Sequence, residues 1–118
     1  MLEFHNTGDV IIAELIDDSL IISEPQDILD LMGDMSEKES TRLIIREENL
    51  HPDFFRLYTG LAGEILQKFS NYRFKLAVIG DFSKYNSKNL QDFIRECNKG
   101  ANIFFVDNLN TALSVLSA

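Results

Sequence analysis

The sequence predicts a single α/β domain over residues 1–118, with an N-terminal β-hairpin followed by four βα units. Its sheet should have five strands, mostly parallel, with the helices mainly on one face. Three observations predict it. Short β-branched runs alternate with segments whose apolar residues recur at helical spacing. Residues 74–80 are almost continuously apolar, the pattern of a strand buried on both faces of a parallel sheet. A glycine-containing stretch, Asn6-Thr7-Gly8-Asp9, separates the first two strand-like runs as a hairpin turn would.

Each element follows in order. Leu2 and Phe4 alternate with Glu3 and His5, and His5 should point outward; residues 10–16 form the second strand. Asp17-Asp18-Ser19 ends that strand, and Leu20-Ile21-Ile22 leads into a helix. Ser23 with Gln26 three residues on predicts a capping box, and Pro25 suits a first turn, where its missing N–H has no partner to lose. Ile28, Leu31, Met32 and Met35 make one apolar stripe. Leu43-Ile44-Ile45 is a third strand, with Arg42 and Arg46 at its ends.

Beyond Pro52, the residues Phe54, Tyr58, Leu61, Ile65, Phe69 and Tyr72 fall at helical spacing. Gly60 and Gly63 interrupt them, each destabilising a helix interior by about 1 kcal/mol against alanine. Either the helix runs through both, or a turn precedes a shorter helix from near Thr59. Their spacing also suggests tight packing of a neighbour against this helix. After the strand at 74–80, Leu90, Phe93, Ile94 and Cys97 mark a helix that Gly100 closes as its C′ residue. Residues 103–106 are the last strand, and Asp107 or Asn108 caps a final helix carrying Leu109, Ala112, Leu113 and Leu116.

Bulk properties exclude several functions. A chain of 118 residues, 45% hydrophobic, needs neither metal nor disulfide to stay folded. Its net charge of −8 and lack of clustered Lys and Arg argue against a nucleic-acid partner, which needs cations to displace counterions from phosphates. Residues 1–64 carry 15 acids and 4 bases, and residues 65–118 carry 4 acids and 7 bases; this asymmetry is either a solvated acidic surface or a means of orienting head-to-tail association. Cys97 stands alone, so no internal disulfide and no thiolate metal site can form. No signal-peptide pattern and no apolar run of about 20 residues is present, so a cytoplasmic protein without membrane contact is expected. No cofactor, no metal site and no catalytic residue is assigned.

In a parallel α/β sheet, ligands gather beyond the carboxyl ends of the strands, where loops meet helix N-termini. That edge should collect Asp17 and Asp18, then Glu47, Glu48 and Asn49, then Asp81 and Ser83, and lastly Asp107. Glu47, Glu48, Asp81 and Ser83 are the candidate ligand-binding residues. Neighbouring carboxylates can hold a hard cation or act as an acid–base pair, yet acids at helix starts also cap free N–H groups and meet the helix dipole. His5 and His51 lie on different elements, and no Gly-x-Ser-x-Gly elbow exists, so nucleophilic catalysis is not predicted. Cys97, on an apolar stripe, reads as packing. The run 80–88 lacks the second glycine of a P-loop, which leaves Lys84 and Lys88 as surface charges.

The order of elements resembles that of STAS domains, the anti-sigma-factor antagonist fold. The segment 59–66, Thr-Gly-Leu-Ala-Gly-Glu-Ile-Leu, is similar to that family's Ser/Thr-Gly-Leu-Gly segment at the start of its second helix. Residues 77–81, Phe104-Phe105 and Ala112-Leu113 are similar to a sibling STAS-like family of bacteria. Over essentially its whole length, through Glu47-Glu48-Asn49, Pro52-Asp53-Phe54-Phe55, residues 59–72 and residues 80–85, the chain resembles bacterial domain-of-unknown-function family 4180. In STAS antagonists a partner kinase phosphorylates the residue before the glycine, which implies Thr59 as a regulatory site. The chain departs from that pattern in having Leu57 and Tyr58 where those antagonists carry an acid and a serine.

Two functions follow as expectations. One is a non-enzymatic regulatory module that binds a protein partner or forms a homodimer, using a sheet face left open on which Val10, Ile12 and Phe74 could sit. The other is a small-ligand or metal-binding enzyme built on the acidic loops.

Overall fold

The computed structural model describes residues 1–118. Its five strands are β1 (Leu2–Asn6), β2 (Ile11–Leu15), β3 (Arg42–Arg46), β4 (Lys75–Ile79) and β5 (Ile103–Val106). They lie in the sheet in that order, with β1 antiparallel to β2 and every other neighbouring pair parallel. The helices are α1 (Pro25–Ser36), α2 (Leu61–Tyr72), α3 (Lys88–Lys99) and α4 (Leu109–Ser117). The α/β class and the mostly parallel five-stranded sheet are as the sequence predicts.

The hairpin closes where expected. Gly8 has φ +97°, and its N–H donates to Oδ1 of Asn6. The cap of α1 lies one residue later than expected. Glu24 takes the extended capping position, and the carboxylate of Asp27 accepts from the N–H groups of Ser23 (2.8 Å) and Glu24 (3.2 Å). A charged acceptor three residues past the cap is stronger than the neutral Gln26 amide, which turns outward to Asp30 instead.

The segment after Pro52 is not one helix. Two 3-10 turns, Pro52–Phe55 and Leu57–Thr59, precede α2, and Gly60 between them and the helix has φ +82°. The close approach expected at Gly60 and Gly63 does not occur, since a Cβ at either position would meet nothing within 4 Å. Gly60 is there for its backbone angle. Gly100 ends α3 in an extended conformation rather than a left-handed one.

The larger core joins α1, α2 and α3 to one face of the sheet through Ala13, Leu15, Leu43, Ile45, Leu76, Val78 and Phe105. Three right-handed crossovers between strands added in order place these helices together. The last helix, α4, lies across the other face, where Ala112 and Leu116 seat on Ile12, Ile44 and Ala77. The side chain of Arg42 ties it down by donating to the Leu116 carbonyl. A helix this short is marginal alone, so burial of that face is what holds it.

The open face expected from Val10, Ile12 and Phe74 is therefore corrected. Ile12 is fully buried beneath α4, Val10 packs beside it, and Phe74 belongs to the larger core on the opposite side. His5 does not point away from the molecule either. It shares the second face with Glu14, and its Nε2 lies 2.7 Å from Oε1 of that residue.

Candidate functional site

The carboxyl ends of β3 and β4 lie side by side because the two strands pair in register, Arg46 opposite Ile79. The next residues, Glu47 and Gly80, therefore face each other. Glu47 is only 8% exposed and fills the space that a side chain on residue 80 would need. Its Oε2 accepts from the hydroxyl of Tyr85 and from Nζ of Lys84 at 2.7 Å. The Tyr85 ring stacks on Phe55, centroids 5.0 Å apart, so the loop after β4 is clamped to the loop after β3.

Electrostatics follow from this clamp. Burial first, and then the hydrogen bond to Glu47 and its charge, push the Tyr85 phenol far above its ordinary value. Lys84 is raised by its hydrogen bond to Glu47, and the charges of Glu47, Asp81 and Glu48 add to the shift. Three of the four predicted ligand residues thus act on one ammonium group. Asp81 sits lower than usual because the Ser83 hydroxyl (2.6 Å) and N–H (3.1 Å) donate to its Oδ1, and Lys84 adds to this. Asp81 and Ser83 thereby set the 3-10 turn Phe82–Lys84. Glu48 is exposed and lines a hollow of about 330 Å3 with Ile21, Phe55, Lys84 and Tyr85.

The remaining residues of this edge are placed as follows. Asp17 closes a turn by accepting from Ser19, which lowers its carboxyl. Asn49 is a buried brace, donating to the carbonyls of Asp17 and Leu20 and accepting from the N–H of Arg46. Asn108, and not Asp107, caps α4 by accepting from the Thr111 N–H. His51 caps the turn after it through Nδ1. Thr59 is exposed, and its hydroxyl oxygen lies 2.7 Å from the carbonyl of Asp53 and 2.9 Å from that of Arg56, one residue before Gly60. Cys97 packs against the larger core, and burial, then the charge of Glu96, raises its thiol.

A larger hollow, about 760 Å3, opens between the ends of β4 and β5, lined by Gly80, Asp81, Phe82, Val106, Asp107 and Thr111. It exists because the chain leaves β4 for α3 on one face and leaves β5 for α4 on the other, so the two loops diverge. Such a divergence is where open α/β sheets form a crevice.

Sequence reasoning missed a second polar cluster, on the face that carries α4. Glu14 of β2 is 3% exposed, and it is held by His5 from β1 and by Arg46 from β3, whose Nη2 lies 2.7 Å from its Oε2. The signal was present, since a single acid inside the apolar run Ile11-Ile12-Ala13-Glu14-Leu15 requires a buried partner. Reading His5 as outward-facing hid that partner.

The fold and both clusters lie largely within a region that a family model, described as "Domain of unknown function (DUF4180)", matches over residues 7–116. The chain belongs to this family. The match spans the hairpin turn through α4, and so contains the Glu47 clamp and the β4–β5 hollow; Glu3 and His5 precede it. The description of DUF4180 assigns no activity. No curated protein and no solved structure gives a significant match. No helix of this DUF4180 chain is long and apolar enough to cross a membrane.

Proposed function

We propose that the chain is a non-enzymatic regulatory module of STAS type, cytoplasmic, which binds a protein partner through the loop edge around the start of α2. One observation carries this reading. Tyr58 leaves 88% of its surface in water, directly before Thr59 and the left-handed Gly60 that launches α2. Tyrosine is among the residue types that dominate interface energetics. Thr59 is the regulatory residue in this reading. A phosphate on its exposed hydroxyl would stand at the N-terminus of α2, where the helix dipole and free N–H groups favour it, and would break the bonds to Asp53 and Arg56. The acids of the edge support a binding role over catalysis, because Glu47 is matched by Lys84, and Asp81 is engaged by Ser83.

The test is a photo-crosslinking residue placed at Tyr58 in the native host. A reproducible cross-link to one defined protein, or to a second copy of the chain, that weakens in the Thr59→Glu variant supports the proposal. Cross-linking no more specific than from a control position such as Lys99 overturns it.

A second reading rests on the hollow between β4 and β5, which suits a small ligand held near Asp81, with Glu47, Glu48 and Ser83 on the adjoining loops. Under it, divalent metals or anionic metabolites raise the melting temperature, and Asp81→Ala removes the shift. A flat response across the screen eliminates this reading.

A further inference from the structure

The β1–β2 register sets Glu3 directly opposite Glu14, and strand alternation puts His5 on the same face two residues along. These three side chains each bring one oxygen or nitrogen to within 4.8 Å of the others. We propose that Glu3, His5 and Glu14 form a binding site for a single divalent transition-metal ion, of which zinc is the best fit. This site shares no residue with the protein-binding reading, which concerns Tyr58 and Thr59 before α2.

Three features favour a metal over an ordinary ion-pair cluster. Two carboxylates directly opposed across an antiparallel pair repel each other and destabilise the hairpin unless a cation lies between them. Arg46 meets only Oε2 of Glu14, and Glu3 has no positive partner at all. Second, Arg46 fixes the orientation of Glu14 by holding Oε2, which leaves Oε1 directed at Nε2 of His5. Such an outer hydrogen bond to a ligating carboxylate is how metal sites position their first ligands. Third, the donors suit the ion. An imidazole nitrogen with two carboxylate oxygens matches zinc at about 2.0–2.2 Å per bond, and three protein ligands leave a fourth tetrahedral position for water.

The site is also accessible. Ala112 and Leu116 of α4 cover Ile12, Ile44 and Ala77, while His5 and Arg46 keep 24% and 33% of their side chains in water. On binding, the ion would take the place of the contact between Nε2 of His5 and Oε1 of Glu14.

Isothermal titration of the full chain, stripped with a chelator, against zinc chloride should show one saturable site. Glu3→Gln and His5→Ala should each weaken binding by about tenfold or more, the scale of losses at metal sites. His51→Ala, which alters the only other histidine, should leave it unchanged. Asp81→Ala should also have no effect, which separates this site from the hollow at the loop edge. Should the hairpin variants unfold, side-chain nitrogen NMR of the unmodified protein decides the matter, because zinc must shift Nε2 of His5. No saturable binding up to about a millimolar, equal affinity in all variants, or a zinc-induced shift confined to His51 overturns the proposal.

Discussion

A Cβ atom on residue 80 would stand 2.8 Å from both Cβ and Oε1 of Glu47, so Gly80 and Glu47 fit together only because one of them has no side chain. In-register pairing of β3 and β4 makes the two residues neighbours. The contact is with a Cβ fixed to the backbone, and it cannot be relieved by a rotamer change alone. Gly80→Ala should therefore destabilise the fold by about 1–3 kcal/mol, the range for overpacking. Urea denaturation measures this. An unchanged midpoint would show that the loops after β3 and β4 are less tightly apposed than described.

Tyr85→Phe keeps the ring stacked on Phe55 and removes the hydroxyl that donates to Glu47, leaving that buried carboxylate with Lys84 alone. A loss of about 1–3 kcal/mol is expected, as for other buried acceptors deprived of a donor. Its dependence on pH has a definite sign. Folding raises the phenol above its ordinary value of 10.0, so the contribution of Tyr85 is complete below pH 10 and disappears as pH rises through the folded-state value. The difference in stability between wild type and Tyr85→Phe should accordingly shrink well above pH 10, in urea titrations of both proteins. A difference that stays constant into strong alkali would be inconsistent with a retained phenolic proton.

Local signals carried most of the architecture. Gly8 marked the hairpin turn, the apolar run 74–80 marked a central strand, and the stripe Ile28, Leu31, Met32, Met35 marked a helix whose four residues are all buried. What escaped depended on distant partners. The face chosen by α4 is not encoded in its own stripe, because either side of a sheet can receive Ala112 and Leu116; only the filled α1–α3 face forces the choice. Lys84 reads as a surface charge until β3 and β4 are set in register, whereupon Glu47 becomes its partner. The predicted loop edge did assemble, with Glu47, Glu48 and Asp81 all acting on Lys84. The Glu14 cluster needed the hairpin register to be taken one step further, from the turn to the residue facing Glu3.

The glycines of the α2 region should respond to alanine in opposite directions. Gly63 lies in the helix with open space where a Cβ would go, so Gly63→Ala should stabilise the protein by up to about 1 kcal/mol through helix propensity. Gly60, with equally open surroundings, holds φ at +82°, and Gly60→Ala should destabilise by about 1–2 kcal/mol because an L-residue resists the left-handed region. Thermal melts of the two variants give the comparison. Effects of the same sign would refute the assignment of Gly60 to a backbone role.

Acid should act on the fold through Glu14. Burial alone would raise its carboxyl, but the hydrogen bonds from His5 and Arg46, followed by their charges, outweigh that and hold it below the ordinary 4.5. A lowered folded-state value means that the unfolded chain binds the proton first. The stabilisation is therefore complete above pH 4.5 and is lost as pH falls through the folded-state value. Glu14→Gln abolishes this titration and weakens both hydrogen bonds at neutral pH. About 1.5–3 kcal/mol should be lost there, the range for hydrogen bonds to a charged group, with Arg46 kept from the extreme by its contact with water. Below pH 4.5 the two proteins should converge, because wild type loses what the variant already lacks. Denaturant midpoints collected from neutral pH downward provide the measurement, and two parallel curves would remove Glu14 as the acid-sensitive group.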